Sequence, residues 1–418
     1  MSSTHADLAI ATFAIDEIVE GTQTGRDGTT LIVSPPQLAV GAGEPALAEA
    51  TVEVVRPGDR VRISNVCDVV VPDVRTEAPA DTFPGALGVL TSAATGVLHR
   101  LSGVAVLSVC DWQRAGYVGP DELPDSLVDM DGPGSTVSPW GSTANVVLQA
   151  VPTPGAPVAD VDRALRRATL RLARTLAETT LGAGDGTMER YAPLGTTTGG
   201  DLPRVVAVLQ VASEGPLTDT FLHGWPLGDL VPTLLDPREV LGGALVNGAY
   251  DWPSVRNVTA TYQTNTLIRE LAVADGERLR FAGLILAPGY LDTAFEKQRA
   301  ALFTAGIARS LRADAAVCTT FSSGNSHTDT MLTTRALERE GIAAVPIVAE
   351  TNGGLTDHVP EAVSIVSAGN EDELVAAWTP ARAVGASEPV RAGEPIPTWA
   401  YLGATVQTGD GWLQGVPA

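Results

Sequence analysis

The stretch LRFAGLILAP at residues 279–288 is a continuous apolar run that opens the most regular part of the chain. A run without alternating polar residues is typical of a strand buried on both faces of a parallel sheet. The pattern that follows is a helix at 292–313, a strand at 314–321, a helix at 328–341, a strand at 342–350, and a strand, turn and helix at 361–378. Alternating strands and helices predict a doubly wound parallel sheet.

Ligands of such sheets bind beyond the carboxyl ends of the strands. Two loops occupy that position, SSGNSHTD at 322–329 and ETNGGLTDH at 350–358. Their candidate ligand-binding side chains are His327, Asp329, Asp357 and His358. The alternative is that Ser326 or Thr328 caps a helix beside exposed histidines. The sequence leaves both interpretations open.

Upstream, residues 99–248 mix apolar strands, such as VVAVLQVA at 205–212, with an amphipathic helix at 159–182. The apolar stripe of this helix is Val161, Leu165, Ala168, Leu172 and Leu176. Its other face carries Arg163, Arg166, Arg167, Arg171 and Arg174. A solvated face accounts for these arginines, and contact with an acidic partner subunit is the alternative.

Residues 1–98 contain short apolar runs interrupted by turns such as Asp27-Gly28 and Pro57-Gly58, which predict β-hairpins. The expected fold class is α/β. It comprises a β-rich N-terminal module at 1–98, a mixed α/β region at 99–248, and a doubly wound parallel α/β domain at 249–418.

Composition narrows the range of functions. The chain has 49 acidic and 27 basic residues, a formal net charge of -22, which disfavours nucleic acid as a partner. It has no apolar stretch of the roughly 20 residues that a membrane span needs, and the start lacks a basic signal-peptide region. We therefore expect no membrane association and a cytoplasmic location.

The chain has three cysteines, Cys67, Cys110 and Cys318, which lie too far apart for a zinc site of ordinary spacing. We expect buried thiols and no metal site, with Cys110 as a nucleophile the less favoured alternative. The single lysine, Lys297, is expected to be an exposed salt-bridging residue near the start of a helix.

Several motifs resemble the proprotein family of glycine, sarcosine and betaine reductase component B, to which the D-proline reductase proprotein is related. The segment VDMDGPGSTVSPWGSTANVVLQA at 128–150 is similar to that family's DMxGPG segment. Further similar segments are VRPGDRVRI at 55–63, Phe83-Pro84-Gly85, HRLSGVAVLSVC at 99–110, and TDTFLHGWPLGDLVPTLLDPREVLGGALVNG at 218–248. Their order and spacing extend the resemblance over nearly the whole chain.

The resemblance implies a specific chemistry. Members of the family are cleaved at an Asn-Cys bond, and the new terminal cysteine becomes a pyruvoyl group that captures the substrate amine. A partner subunit carrying selenocysteine or cysteine then cleaves the C–N bond reductively. Such a carbonyl withdraws electrons in a way that side chains cannot.

Laid on this chain without gaps, the cleaved pair falls on Ala249-Tyr250, and a second family cysteine falls on Ser254. Self-cleavage needs a thiol or hydroxyl beside the scissile carbonyl. The hydroxyl of Tyr250 does not meet this need, because the phenol is too far from its own backbone. Ser254 is the alternative processing residue, although Pro253 precedes it. We therefore expect no bound cofactor, although the family has a pyruvoyl group.

Three functions remain. The first is an unprocessed substrate-binding subunit that acts with a homologue of the component B selenoprotein or cysteine subunit on a small amine or amino-acid-like molecule. The others are a non-catalytic scaffold or regulatory subunit, and an independent enzyme using the carboxyl-end loops. For the first, Tyr250 is the candidate catalytic residue, supplying a hydrogen bond or an aromatic wall. The predicted substrate-binding residues are Asn247, Tyr262, Gln263, Asn265, Asn325, His327 and Asn352.

Overall fold

The computed structural model describes residues 7–110, 112, 126–195, 201–215, 217–228, 230–250, 257–321, 324–350, 362, 364–386, 388–405 and 414–416. The helices are α1 (Pro35–Ala42), α2 (Val158–Ala177), α3 (Pro237–Leu241), α4 (Thr259–Gln263), α5 (Thr266–Ala274), α6 (Ala294–Ser310) and α7 (Asn325–Arg339).

The strands are β1 (Leu8–Ala14), β2 (Glu17–Glu20), β3 (Gly25–Asp27), β4 (Thr30–Val33), β5 (Leu47–Val55), β6 (Val61–Ile63), β7 (Val66–Val70), β8 (Asp73–Arg75), β9 (Gly96–Ser102), β10 (Val104–Cys110), β11 (Val128–Asp129), β12 (Ala144–Pro152), β13 (Thr187–Tyr191), β14 (Arg204–Ala212), β15 (Thr218–Leu222), β16 (Trp225–Pro226), β17 (Thr233–Leu235), β18 (Leu245–Ala249), β19 (Arg280–Gly289), β20 (Ala315–Thr319), β21 (Ala343–Glu350), β22 (Ile365–Asn370), β23 (Leu374–Val375), β24 (Arg382–Val384), β25 (Ile396–Pro397) and β26 (Gln414–Val416).

The largest sheet has the strand order β17-β19-β14-β20-β21-β22-β26. Its five central strands are parallel, and the edge strands β17 and β26 are antiparallel to their neighbours. One face packs through Ile285 against Ala305 of α6 and Leu337 of α7. The other packs through Leu284 against a core that includes Ile268 of α5. The predicted α/β fold class, with a doubly wound parallel sheet, is confirmed.

The predicted domain boundaries do not coincide with the sheets. Strand β14, from the predicted middle region, pairs with both β19 and β20 at the centre of the large sheet. Strand β24 pairs with β6 of the N-terminal module. The apolar run of β14 requires burial on both faces, and β19 and β20 supply its pairing partners.

Two four-stranded sheets, β13-β1-β9-β8 and β5-β12-β10-β7, form most of the N-terminal half. The smaller sheets are β11-β6-β24, β16-β15-β18, β2-β4-β3 and β23-β25. The predicted hairpin at Asp27-Gly28 is present as β3 and β4. The prediction of a hairpin at Pro57-Gly58 is wrong, because this turn joins β5 and β6, which belong to different sheets.

Helix α2 buries its predicted apolar stripe in the N-terminal core. The prediction of a solvated arginine face is wrong for Arg166, which is buried and pairs with Asp162 at 2.9 Å from Nη1 to Oδ1. The pair lies at i and i+4 on the same helix, so each charge offsets the desolvation of the other.

Three predictions for the C-terminal part are also wrong. The helix expected after β22 is replaced by β23, which pairs with β25. Lys297 is buried and its Nζ lies 2.8 Å from Oδ1 of Asp329 on α7. Helix α7 begins at Asn325 after Gly324, whose φ is 65°, so that neither Ser326 nor Thr328 is the cap. His327 is buried in the first turn rather than exposed.

The DMDGPG motif forms the turn that follows β11. Asp129 accepts hydrogen bonds from Arg62 Nε at 2.6 Å and Nη2 at 2.8 Å, and from the Tyr401 hydroxyl at 3.0 Å. A Cβ at Gly134 would collide with the Asp129 carboxylate and the Tyr401 ring. The motif therefore holds two distant segments around one buried carboxylate.

We predict that Gly134→Ala lowers the free energy of unfolding by about 1–3 kcal/mol, because the added methyl must displace a buried ion pair. Gly306→Ala is the matched control, since a Cβ at this site in α6 meets no atom within 4 Å. The control is expected to stabilise by about 0.5–1 kcal/mol through helix propensity. Thermal unfolding of both variants checks this, and equal melting temperatures would contradict the packing described for Gly134.

Candidate functional site

Strand β18 carries the Ala249-Tyr250 pair, hereafter the junction, at its carboxyl end. The strand is buried throughout and pairs antiparallel with β15, with Ala249 opposite Thr218. Ala249 packs against Ala212 and Phe321, with Tyr290 beside them. These residues end or follow β14, β20 and β19. The junction therefore lies at the carboxyl edge of the parallel sheet, where ligands of such folds bind.

A buried carboxyl group, Asp68 of β7, holds the strand before the junction. Its Oδ1 accepts the Thr259 amide at 2.8 Å, and its Oδ2 accepts the Thr259 hydroxyl at 2.7 Å. The same hydroxyl accepts the amide of Asn247 at 2.9 Å. Asn247 Oδ1 in turn accepts the amide of Ala249 at 2.9 Å. Asp68 thus connects β7, β18 and α4.

The electrostatics of Asp68 are unusual for a carboxylate. Burial raises its pKa from 3.8 to about 7, against the opposing effect of hydrogen bonds from Thr259, Val69 and Asn247. A group with this pKa changes protonation state near neutral pH. The site therefore contains a carboxyl that can hold or release a proton.

Tyr250 packs its ring on Trp112, with centroids 5.8 Å apart and planes inclined by 26°. The Trp112 indole N–H donates to the Cys67 sulfur at 3.3 Å. The buried Tyr250 hydroxyl has no hydrogen-bond partner within the described part of the chain. Burial raises the pKa of Tyr250 well above its ordinary value, so the phenol stays neutral. A phenol that stays neutral does not act as a base near neutral pH.

A cavity of about 440 Å³ is lined by residues of α2 and of β15, the strand that pairs with β18. Its inner wall includes the buried Asp162–Arg166 pair, and the Arg166 guanidinium lies 3.5 Å from the centroid of the Phe221 ring. A Cβ at Gly248 would collide with Phe221 and lie 3.0 Å from Arg166 Nη1. The backbone of the junction strand therefore lies directly behind this wall, because residue 248 has no side chain.

The predicted substrate-binding residues in α4 and at the start of α5 are Tyr262, Gln263 and Asn265. The Tyr262 hydroxyl is 3.5 Å from Thr220 Oγ1. Gln263 is fully engaged, accepting the Val71 amide at 2.9 Å and donating to the Val71 carbonyl at 2.9 Å and to Asp73 Oδ2 at 2.7 Å. Asn265 caps α5 by accepting the Ile268 amide at 2.9 Å. The Gln263 amide and the Asn265 side-chain oxygen thus bind protein groups in this structure.

Two predicted residues of the first carboxyl-end loop, Asn325 and His327, lie in the first turn of α7. The Asn325 amide donates to the Leu291 carbonyl at 3.1 Å. Both residues lie near the carboxyl edge of the large sheet, as does Phe321, which follows β20. Of the other predicted residues, Ser254, Asn352, Asp357 and His358 lie outside the described residues.

The main residues that sequence reasoning missed are Asp68, Thr259 and Trp112. One local signal was present, since Asp68 interrupts the apolar run VCDVVV at 66–71. A carboxyl in a fully buried strand requires hydrogen-bond partners, and these partners are often functional or conformational determinants.

In the described ranges, no group of three or more His, Cys, Asp or Glu side chains is arranged to hold a metal ion. Cys67, Cys110 and Cys318 are buried, as predicted, and burial raises the pKa of Cys67 and of Cys318 to about 12. Among the helices that the structure describes, none has the length and apolarity needed to cross a membrane.

We predict that Asp68→Asn changes how stability depends on pH. The folded pKa of Asp68 is raised, so the stability it contributes is present below its unfolded pKa and is lost as pH rises through about 7. Asparagine mimics the protonated carboxyl. The variant should therefore gain up to roughly 4 kcal/mol relative to wild type between pH 4 and pH 8.

The measurement is the melting temperature of both proteins across that pH range, with the exposed Asp16→Asn as control for loss of one acidic residue. A difference between wild type and Asp68→Asn that stays constant from pH 4 to pH 8 would contradict the assignment.

Comparison with known proteins agrees with the motifs. The family model for glycine/sarcosine/betaine reductase component B subunits matches residues 6–394. The glycine reductase complex component B subunits alpha and beta of Acetoanaerobium sticklandii are 28% identical over 379 residues, which cover 88% of this chain and 86% of the relative.

The betaine reductase complex component B subunit alpha of Peptoclostridium acidaminophilum is 30% identical over 395 residues, covering 88% of this chain and 85% of the relative. The sarcosine reductase complex component B subunit alpha of the same organism is 27% identical over 373 residues, covering 87% and 85%. No solved structure matches the chain. The chain therefore belongs to the family of glycine/sarcosine/betaine reductase component B subunits.

Proposed function

We propose that this chain is the substrate-binding subunit of a component-B-like reductase complex, and that it acts as an intact chain without a pyruvoyl group. Family membership supports a role in such a complex, since the relatives are named as components of reductase complexes. The substrate is a small amine or amino-acid-like molecule. A cytoplasmic partner subunit supplies the thiol or selenol for reductive C–N cleavage, and an external reductant supplies the two electrons that return this group to its reduced state.

The observation that carries the proposal is the state of the junction. A pyruvoyl precursor needs a thiol or hydroxyl on the β-carbon that follows the scissile bond. Tyr250 instead has a ring there, packed on Trp112 with its hydroxyl buried at the far end. Ala249 has only a methyl group. The residues at the junction therefore do not fit the formation of a pyruvoyl group.

In the proposed function, the residues around the junction bind and position the substrate instead of forming a pyruvoyl group. The Tyr250 and Trp112 rings pack on each other in the core, next to the strand that contains Asn247. The cavity of about 440 Å³ lined by α2 and β15 is within the range of ligand pockets and presents the Arg166 guanidinium at its wall. Asp68, with a pKa of about 7, is a nearby group able to exchange a proton.

We predict that Tyr250→Ala lowers kcat/KM of the reconstituted complex by roughly tenfold or more, because the ring contributes the wall against which substrate is oriented. Tyr250→Phe is the matched control and should retain activity, since the hydroxyl has no partner among the described residues. Tyr250→Leu keeps the space partly filled if the alanine variant unfolds.

The assay uses the chain mixed with a homologue of the selenol- or thiol-bearing subunit and follows reductant consumption on small amines and amino acids. Unchanged kinetics for Tyr250→Ala would remove Tyr250 from the substrate site and favour a scaffold or regulatory subunit. Loss of activity in Tyr250→Phe would give the hydroxyl a chemical role. Turnover by the chain alone would instead indicate an independent enzyme.

A further inference from the structure

A second cavity, of about 240 Å³, lies at β8, an edge strand of the sheet β13-β1-β9-β8. Its lining comes from the end of β8, from the short 3-10 turn that follows, and from the segment that leads into β9. It shares no described lining residue with the cavity lined by α2 and β15. The volume is below the range typical of sites for drug-sized molecules, so only a small ligand fits.

Arg75, at the end of β8, is buried and lines this cavity. Its Nη1 donates to the Thr95 carbonyl at 2.6 Å, and its Nη2 donates to the Ala93 carbonyl at 2.8 Å. Nη2 also lies 3.3 Å from the Gly242 carbonyl. These acceptors are uncharged, and Arg75 forms no ion pair with any residue that the structure describes. The guanidinium therefore lacks the direct counter-charge that a buried cation ordinarily needs.

Two polar atoms of the lining residues, Arg75 Nε and Thr91 Oγ1, are buried without a hydrogen-bond partner in the described chain. Native proteins rarely leave such atoms unsatisfied, since the lost hydration is not compensated. Gly96 also lines the cavity, and a Cβ built there would meet only Arg75 Nη1 within 4 Å, at 3.7 Å. The guanidinium thus borders space that no side chain fills.

The charge around the cavity is mixed. Burial lowers the pKa of Arg75, against the opposing effect of Glu239, Asp73 and Asp81, so these carboxylates do not fully compensate the guanidinium. The half-buried Asp81 and the exposed Glu77 also line the cavity. A simple anion would compensate Arg75 but would be repelled by these two carboxylates, and a simple cation would meet the reverse arrangement. A molecule that carries both charges is complementary to both.

We propose that this cavity binds a small zwitterion, a molecule with one carboxylate and one protonated amine. The carboxylate accepts hydrogen bonds from the Arg75 guanidinium and the Thr91 hydroxyl, and the ammonium group lies toward Asp81 and Glu77. The site is independent of the proposed function at the junction. Its Arg75 nevertheless contacts the carbonyl of Gly242, in the segment that leads into β18.

The test is calorimetric titration of the purified full chain in about 0.15 M salt, where exposed charges are screened beyond about 8 Å. The probes are L-alanine, propionate and isopropylamine, which share a carbon skeleton and carry both charges, the carboxylate alone and the ammonium alone. We expect saturable binding of L-alanine, roughly tenfold tighter than that of either other probe. Absence of saturable binding, which means that the cavity holds water only, overturns the proposal, as does equal binding of propionate or isopropylamine.

The decisive variant is Asp81→Asn, which should weaken L-alanine binding about fivefold or more and strengthen propionate binding, because the carboxylate that repels an anion is gone. A damaged fold would weaken both. Thr91→Val should weaken the binding of both ligands, and Thr187→Val, exposed on β13 at the opposite edge of the same sheet, is the matched control. Unchanged L-alanine binding in Asp81→Asn and Thr91→Val would contradict the site.

A further variant separates this site from the junction. Tyr250→Ala should leave L-alanine binding at the cavity unchanged, since Tyr250 does not line it. Loss of binding in Tyr250→Ala but not in Thr91→Val would assign the ligand to the junction, which overturns the present proposal and leaves the proposed function in place.

Discussion

The arrangement around the junction depends on one buried carboxyl group. Asp68 lies in a strand of the N-terminal half, and its two oxygens bind the amide and hydroxyl of Thr259. Burial of a carboxyl is unfavourable unless hydrogen bonds compensate for the lost hydration. Because the hydroxyl of Thr259 in α4 also accepts the Asn247 amide of β18, the carboxyl fixes β7, β18 and α4 relative to one another. Ala249, the first residue of the junction, ends β18 and is therefore held by the same constraint.

Both residues of the junction are enclosed by other parts of the protein. Ala249 packs against the ends of the parallel strands, and Tyr250 packs on Trp112. The two residues therefore lie inside the protein, between the N-terminal core and the large sheet. In the proposed function, relatives of this chain would use the same location for a cleaved bond, whereas here an aromatic ring fills it.

Sequence patterns within one segment predicted the features of the fold that depend on burial of that segment. The apolar runs of β19, β20 and β21 and the helical periodicity of α6 and α7 gave the large sheet and its helices. The buried stripe of α2 followed from residue spacing alone. These predictions succeeded because burial on one or both faces leaves a periodic pattern in the sequence.

The remaining features depend on contacts between residues far apart in the chain. Asp68 and Thr259 are separated by 191 positions, and Lys297 is buried only because Asp329, 32 positions away, pairs with it. Strand β14 joins the large sheet through partners more than 70 positions downstream. No periodicity within one segment identifies such partners. The junction was located through the family resemblance, and the cluster around it required the structure.

In the proposed function, the chain remains whole at the junction. Mass spectrometry of the purified, denatured protein tests it most directly, because a cut at any peptide bond near residue 250 separates the chain into two parts. We expect one species at 43.2 kDa, the mass of the uncleaved chain. Two fragments that meet near residue 250, whether at Tyr250 or at Ser254, would contradict it.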